Sequence, residues 1–309
     1  MVDRVRIHEV SLRDGLQNEP DVVPTDVKLA HLEHLLASGF RDIEVTSFVR
    51  PRWIPQLADA AEVARSLPRV EGARFWALVP NPVGLDRALD AEIGHICTFL
   101  SASETHNKKN VNRTVAESMA GLRKVITTAR SEGLTVRSYI STVFGCPYEG
   151  DIDPQRSLDL ALELLELGAT EIALGDTVGA AYPTQVRTIL ELLAAQGVPV
   201  EKTAVHFHDT RGTGLLNAWT AWEHGIRTFD GSVGGIGGCP YAPGAAGNVA
   251  AEDLVYLFQR SGIPSGIDLD GACAAAQFME GVLGRRLPGR YLHNWQGQRQ
   301  RGSRAARSA

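Results

Sequence analysis

Apolar residues along this chain follow two periods in turn. Short runs of β-branched and aliphatic residues at 4–10, 42–46, 74–79, 93–100, 135–141, 171–174, 203–207 and 228–232 predict eight strands. Between them lie longer stretches with apolar positions at helical spacing. Leu29, Leu32, Leu35 and Leu36 share one face over 26–37, and Leu158, Ala161, Leu162 and Leu165 share one over 156–167. Gly39, Gly133, Gly168, Gly197 and Gly225 each stand just past a helical pattern and ahead of a strand, the place of a helix C-cap. Eight strand-and-helix units predict an α/β fold, the (β/α)8 or TIM barrel. An open doubly wound sheet would put a glycine-rich turn after the first strand, and here the comparable loop, 234–247, follows the eighth. The pattern over 269–282 predicts an extra helical segment at the C-terminal side. The expected organisation is one barrel domain over 1–289, this helix included. A basic tail over 290–309, with five arginines and no acid, reads as a solvated, partly disordered end.

Composition narrows the partner. With 309 residues, 44% of them hydrophobic and 22% charged, the chain is long enough for one large core. A net charge of -5 lacks the basic excess of a nucleic-acid binder, so a small anion is the expected polar partner and no nucleic acid is. Cys97, Cys146, Cys239 and Cys273 show neither a disulfide framework nor zinc-knuckle spacing, which fits a reducing cytoplasm. The stretch Met1-Val2-Asp3-Arg4-Val5-Arg6 lacks the apolar core of a secretion signal. No apolar run approaches the ~18 residues of a membrane span, so no membrane association is expected.

The chemistry concentrates in Val205-His206-Phe207-His208-Asp209. Two histidines one residue apart on a strand face the same side, because strand side chains alternate. That spacing suits a shared metal ion and equally suits two hydrogen-bonded core histidines. The barrel sharpens the choice, since active sites of this fold lie where the C-terminal strand ends converge. Arg13 and Asp14 follow strand one, Glu44 lies at the end of strand two, His206 and His208 end strand seven, and Asn248 follows strand eight. Asp14, His206, His208 and Asn248 then offer a carboxylate oxygen, two imidazole nitrogens and an amide oxygen. That mixed set, open to further ligands, favours octahedral Mg2+ or Mn2+ over a closed zinc site.

Five strings carry a resemblance: Arg13-Asp14-Gly15-Leu16-Gln17-Asn18-Glu19, Ile43-Glu44-Val45-Thr46-Ser47-Phe48-Val49, Gly145-Cys146-Pro147-Tyr148-Glu149-Gly150, Gly175-Asp176-Thr177-Val178-Gly179, and the loop from Gly237 through Gly238-Cys239-Pro240-Tyr241 to Asn248. In these the chain resembles the hydroxymethylglutaryl-CoA lyase family, collinearly over residues 5–289. The resemblance implies a TIM barrel, a divalent metal, a homodimer, and cleavage of 3-hydroxy-3-methylglutaryl-CoA into acetyl-CoA and acetoacetate. It also implies Asp14, His206, His208 and Asn248 as metal ligands and Arg13, His206 and Cys239 as catalytic groups. Retro-Claisen cleavage needs such groups, because a tertiary alcohol loses a proton, a carbon–carbon bond breaks, and an enolate must be held and protonated. Arg13 faces the thioester oxygen in this reading and Asp14 accepts the alcohol proton. Cys239, on a glycine-rich lid, protonates the enolate with His206 as a possible shuttle, and Glu44 orients the Arg13 guanidinium. Cys146 reads as structural. Lys108-Lys109-Asn110 is placed to meet CoA phosphates or to stand as a solvated charge pair.

Two positions depart from the family's usual residues: Arg211 replaces a tyrosine after His-x-His-Asp-Thr, and Ala173 replaces a frequent serine. Both are expected near the mouth, where they alter the acyl group accepted. Competing readings are a lyase of the same mechanism on another 3-hydroxyacyl-CoA, a related condensing synthase or aldolase, and a catalytically silent binding protein. The loop 237–248 argues against the synthase.

Overall fold

A computed structural model describes residues 4–238 and 247–308. Eight parallel strands close into a barrel in sequence order: β1 (Arg6–Glu9), β2 (Asp42–Ser47), β3 (Arg74–Leu78), β4 (His95–Ser101), β5 (Thr135–Ser141), β6 (Glu171–Asp176), β7 (Thr203–Phe207) and β8 (Thr228–Gly231). β1 pairs with both β2 and β8, so the expected TIM barrel is closed rather than doubly wound. The helices are α1 (Thr25–Ala37), α2 (Ala60–Arg65), α3 (Pro82–Asp90), α4 (Glu104–Val111), α5 (Val115–Ser131), α6 (Pro154–Glu166), α7 (Pro183–Ala195), α8 (Gly214–Glu223), α9 (Ala251–Arg260), α10 (Leu269–Leu283) and α11 (Arg290–Ser308). No helix among the described residues is long and apolar enough to cross a membrane.

Local chemistry explains most boundaries. Asn81, Ser103, Thr114, Asp153 and Asp268 each accept an amide hydrogen at the start of α3, α4, α5, α6 and α10. Gly39, Gly133, Gly168, Gly197 and Gly225 all adopt positive φ, as C-capping requires. The first strand is shorter than the expected run over 4–10. It stops at Glu9, and a turn of π-helix over Ser11–Gly15 follows, which turns Arg13 and Asp14 into the barrel mouth.

The main core lies between strands and helices, around Leu35, Ile43, Val125, Ile140, Leu164, Val205 and Phe258. A second, smaller layer sits inside the barrel, where Trp76, Leu78, Cys97, Tyr139, Ala173 and Ala204 pack together. Beside it the barrel interior is charged: Arg137 and Glu44 are fully buried, and Asp230 is 3% exposed. Such groups persist in a core when each is paired.

The segment expected to leave the fold at residue 290 instead begins as α11. Leu292 and Trp295 are buried, and Trp295 Nε1 donates to Asp270 Oδ1 of α10 at 2.9 Å. Its start is held by Asp253 of α9, which accepts the amide hydrogens of Arg290 and Tyr291 at 3.1 and 2.7 Å. A capping acid supplied from another helix leaves no local sign in the tail, whose own sequence is polar.

Candidate active site

At the C-terminal end of the strands a cavity of about 430 Å3 opens, lined among others by Arg13, Asp14, Leu78, Phe99, Tyr139, Ser141, Gly175, His206 and His208. The short strand β1 and the turn after it deliver Arg13 and Asp14; β7 delivers His206, with His208 one residue past its end. His208 also forms an antiparallel bridge with Asn248, which brings the end of the 237–248 loop back onto β7. Asp14, His206 and His208 thereby present ligand atoms within 4.8 Å of one another.

The donor set fits a divalent cation on its own chemistry. His206 Nδ1 is engaged by Asp230 Oδ2 at 3.1 Å, which leaves Nε2 for the cluster. Asn248 Nδ2 donates to Asp14 Oδ2 at 2.9 Å and to the Ile236 carbonyl at 3.0 Å. Its Oδ1 is buried without a hydrogen-bond partner, and so is His208 Nδ1. Buried polar atoms are rarely left so, and a shared cation is the partner that both an amide oxygen and an imidazole nitrogen accept. Burial works against ionisation of Asp14, but Arg13 and the two imidazoles outweigh it and hold the carboxyl below its ordinary range. Burial and the neighbouring His206 push the His208 pKa down, so that imidazole is neutral, the form that binds metal.

Arg13 is 6% exposed, with Nε on Glu44 and Nη1 on Asp14 Oδ1 at 2.6 Å. Two fixed carboxylates aim the guanidinium into the cavity while burial strengthens any charge it faces. A second arm runs from His206 to Asp230, which is clamped by Arg137 through Nη2 to Oδ1 at 2.6 Å and Nη1 to Oδ2 at 3.1 Å. The Tyr139 hydroxyl joins the arms, in reach of Glu44 and of Asp230 Oδ2 at 2.8 Å. It has one hydrogen, so it donates to one carboxylate at a time while Arg137 donates to its oxygen. Burial and both acids keep this phenol protonated. Burial opposes charge on Asp230 too, but Arg137 and His206 overcome it and keep the carboxylate ionised.

The base of the 237–248 loop is also held by acids. Glu9 Oε1 accepts the Val233 amide at 3.0 Å and Glu252 Oε2 accepts that of Gly234 at 2.9 Å. Burial raises the Glu9 pKa to about 7, despite these hydrogen bonds, and raises that of Glu252 as well.

The HMGL-like family profile matches residues 4–279. The chain belongs to the HMGL-like family. It is 49% identical over 289 residues to hydroxymethylglutaryl-CoA lyase YngG of Bacillus subtilis, covering 94% of this chain and 96% of that protein. It is 42% identical over 299 residues to (R)-citramalyl-CoA lyase of Chloroflexus aurantiacus, covering 93% of each. Among solved structures, an HMG-CoA lyase from Acinetobacter baumannii in complex with coenzyme A and 3-methylmalate aligns with TM-score 0.89 and 40% identity, over 93% of this chain and 94% of that one. Family and relatives together make this HMGL-like protein a carbon–carbon lyase.

Of the residues expected at this HMGL-like site, Arg13, Asp14, Glu44, His206, His208 and Asn248 come together. Glu44 lies inside β2 rather than at its end, fully buried beneath Arg13. Cys239 lies outside the described residues. Cys146 is buried, its Sγ 3.0 Å from Ser103 Oγ, as a structural residue would be. Asn110 lines the cavity, whereas the Lys109 ammonium stacks on the Tyr148 ring at 4.0 Å and Lys108 reaches the Asn112 carbonyl.

The two departures sit differently from expectation. Arg211 is exposed and stands outside the cavity lining, donating from Nη1 to the carbonyls of Val178 and Gly179 in the loop after β6 at 3.1 and 2.7 Å. Ala173 is sealed in the inner barrel layer against Tyr139 and Ala204, below the cavity. Sequence reading missed Tyr139, Arg137 and Asp230. The two charged ones stand inside strand runs, Thr135-Val136-Arg137 and Thr228-Phe229-Asp230, where charge is rare unless paired, and that was the available signal.

Proposed function

We propose that this protein cleaves 3-hydroxy-3-methylglutaryl-CoA into acetyl-CoA and acetoacetate, using Mg2+ or Mn2+ and acting as a homodimer. The observation that carries the reading is the convergence of Asp14, His206, His208 and the unpartnered Asn248 Oδ1 beside a clamped Arg13 in one cavity. The 49% identity to a hydroxymethylglutaryl-CoA lyase supports the choice of substrate.

Asp14, His206, His208 and Asn248 would hold the ion, whose Lewis acidity lowers the pKa of the C3 alcohol. Asp14 then accepts the alcohol proton. The C3–oxygen electrons form the ketone as the C2–C3 bond breaks, and that bonding pair passes to C2 and the thioester as an enolate. Arg13 faces the thioester oxygen, where its charge stabilises the developing oxyanion in a site shielded from water. Protonation of C2, assigned to the Cys239 thiol with His206 as relay, completes acetyl-CoA. Tyr139 and Asp230 fix the His206 tautomer and hold both arms in register.

Purified protein is assayed with 3-hydroxy-3-methylglutaryl-CoA and with citramalyl-CoA, with Mg2+ or Mn2+ and after exhaustive chelation. Metal-dependent formation of acetyl-CoA and acetoacetate, with the higher kcat/KM on the first substrate, is expected. A preference for citramalyl-CoA moves the assignment to that lyase, and full turnover after chelation removes the metal from it.

A further inference from the structure

Glu9, at the end of β1, is fully buried and takes no part in the bond cleavage derived above, yet its two oxygens reach two separate backbone segments. Oε2 accepts the Ser11 amide at 3.0 Å and the Ser11 hydroxyl at 2.8 Å, while Oε1 accepts the Val233 amide at 3.0 Å. One oxygen thus serves the π-turn that carries Arg13 and Asp14, and the other serves the base of the 237–248 loop.

The chain continues behind Ser11. Its hydroxyl also meets His31 Nε2 of α1 at 2.8 Å, and Glu9, Ser11 and His31 are all fully buried. A hydroxyl has one hydrogen, so while it donates to Glu9 it must accept from His31 Nε2–H. The geometry agrees, because His31 Nδ1 has no hydrogen-bond partner and a hydrogen placed there would be stranded. Burial pushes the His31 pKa down to about 3, so the ring is neutral and carries the single hydrogen that this arrangement requires. Glu9 is therefore held from α1, through Ser11, as well as from the loop base.

The two segments that Glu9 bonds also touch one another. A Cβ on Gly15 would stand 3.3 Å from both Ser232 Oγ and Ile236 Cγ2, and one on Gly237, whose φ is 111°, would stand 2.6 Å from Asn248 Nδ2 and 3.3 Å from the Asp14 carbonyl oxygen. Glycine at these places lets turn and loop base meet closely. Asn18 Nδ2 adds a further tie, donating to the Gly238 carbonyl at 2.7 Å. Arg13 and Asp14 lie between Glu9 and Asn18, so a shift at Glu9 moves the guanidinium and the carboxylate together, and a displacement of ~1 Å in such groups can cost about a hundredfold in rate.

From the two-sided reach of Glu9, the His31–Ser11 chain behind it and the close approach of Gly15 and Gly237, we infer that Glu9 is a positioning residue that clamps the Arg13–Asp14 turn to the loop base. The inference rests on the lyase reading only for the substrate used to test it. Hydrogen exchange of the full-length protein near pH 8, where Glu9 is ionised, reads the clamp over residues 11–16 and 232–238. Turnover of whichever acyl-CoA the wild type cleaves reads its consequence. An amide keeps one acceptor oxygen where a carboxylate has two, so Glu9→Gln leaves the Ser11 or the Val233 amide without its acceptor and frees the two segments from each other. Exchange about tenfold faster in both segments is expected, the scale of one lost buried hydrogen bond, with β4 and β5 unchanged. The same variant is expected to lower kcat by at least about tenfold while KM stays within a few-fold. Ser11→Ala spares the Val233 bond and is expected to speed exchange over 11–16 alone, with kcat lowered by about threefold. Val125→Ala, a core truncation in α5, lowers the melting temperature and is expected to leave both segments and kcat as in the wild type. Wild-type exchange in folded Glu9→Gln or Ser11→Ala protein, exchange rising equally throughout the barrel, or a local rise with wild-type kcat would overturn the inference. Failure of 3-hydroxy-3-methylglutaryl-CoA as substrate would overturn the substrate assignment and leave the exchange result standing.

Discussion

Arginines inside this barrel and arginines on its N-terminal rim are held by different partners. Toward the C-terminal mouth Arg13 lies between Glu44 and Asp14, and inside the barrel Arg137 lies between Glu171 and Asp230. On the N-terminal rim Arg4 and Arg41 are tied to carbonyl oxygens, while Arg6 and Arg74 beneath them pair with Glu171 and Asp42. Paired charges inside a barrel are positioned and held in a fixed protonation state, which suits chemistry that recurs on one geometry. Guanidinium groups tied to nearby carbonyls instead close the chain's own turns onto the strands that follow. The same residue type thus fixes charge inside the barrel and braces turns on its rim, and the difference lies in what holds its fork.

The strongest way to break this contrast is to remove a member of the mouth. His208→Ala is expected to abolish tight divalent binding and reduce turnover to background, since one of the four proposed protein ligands is lost. Calorimetry with Mn2+ reads this directly, and wild-type affinity in the variant would take His208 out of the site. Arg13→Gln is expected to lower kcat by at least about a hundredfold, the scale of losing a donor to a developing oxyanion, with metal affinity little changed. A variant within a few-fold of wild type would make Arg13 a structural residue.

Tyr139→Phe sharpens the comparison, because it uncouples the two arms without removing any charge. A fall in kcat of about tenfold is expected, with KM and the melting temperature nearly constant. An equal change in melting temperature and no change in kcat would mark the phenol as packing alone. Thiol reagents give a smaller effect. Cys97, Cys146 and Cys273 are buried, so fast labelling that substrate suppresses is expected at Cys239. Mass spectrometry that instead finds label spread over the buried cysteines would remove the lid role.

The smallest effect concerns pH. Burial raises Glu9 from 4.5 to about 7 in the folded chain. An acid with a raised folded pKa stabilises the fold while protonated; the contribution is full below its unfolded value and is lost as pH rises through the folded one. The stability of wild type relative to Glu9→Gln is therefore expected to fall by on the order of 2 kcal/mol between pH 5 and 8. Parallel denaturation curves at the two pH values would show that Glu9 does not titrate there.

Much of the fold was legible because its signals are local. Strand and helix periods, and five glycines at C-caps, mark eight units, and eight units close a barrel in sequence order. The cluster of Asp14, His206 and His208 was legible for a related reason: His206 and His208 share a strand face, and fold topology brings β1 and β8 beside it. Glu44 was read correctly as the partner of Arg13, although it lies deeper in β2 than expected. What escaped was set by distant contacts. Asp253 caps α11 from another helix, and carbonyls of the loop after β6 hold the Arg211 guanidinium.

By itself, the sequence determined the strand count, the closed parallel topology, the meeting of Asp14, His206, His208 and Asn248 at one end of the barrel, and the family. These depend on residue type and on spacing along one strand or one turn, which a linear string contains. Only the tertiary structure decided that Tyr139 joins Glu44 to Asp230 and that Ala173 lies beneath the cavity rather than at its rim. Those facts follow from which side chains the closing of the barrel forces into the same few ångströms, where burial makes every unpaired charge or polar atom costly.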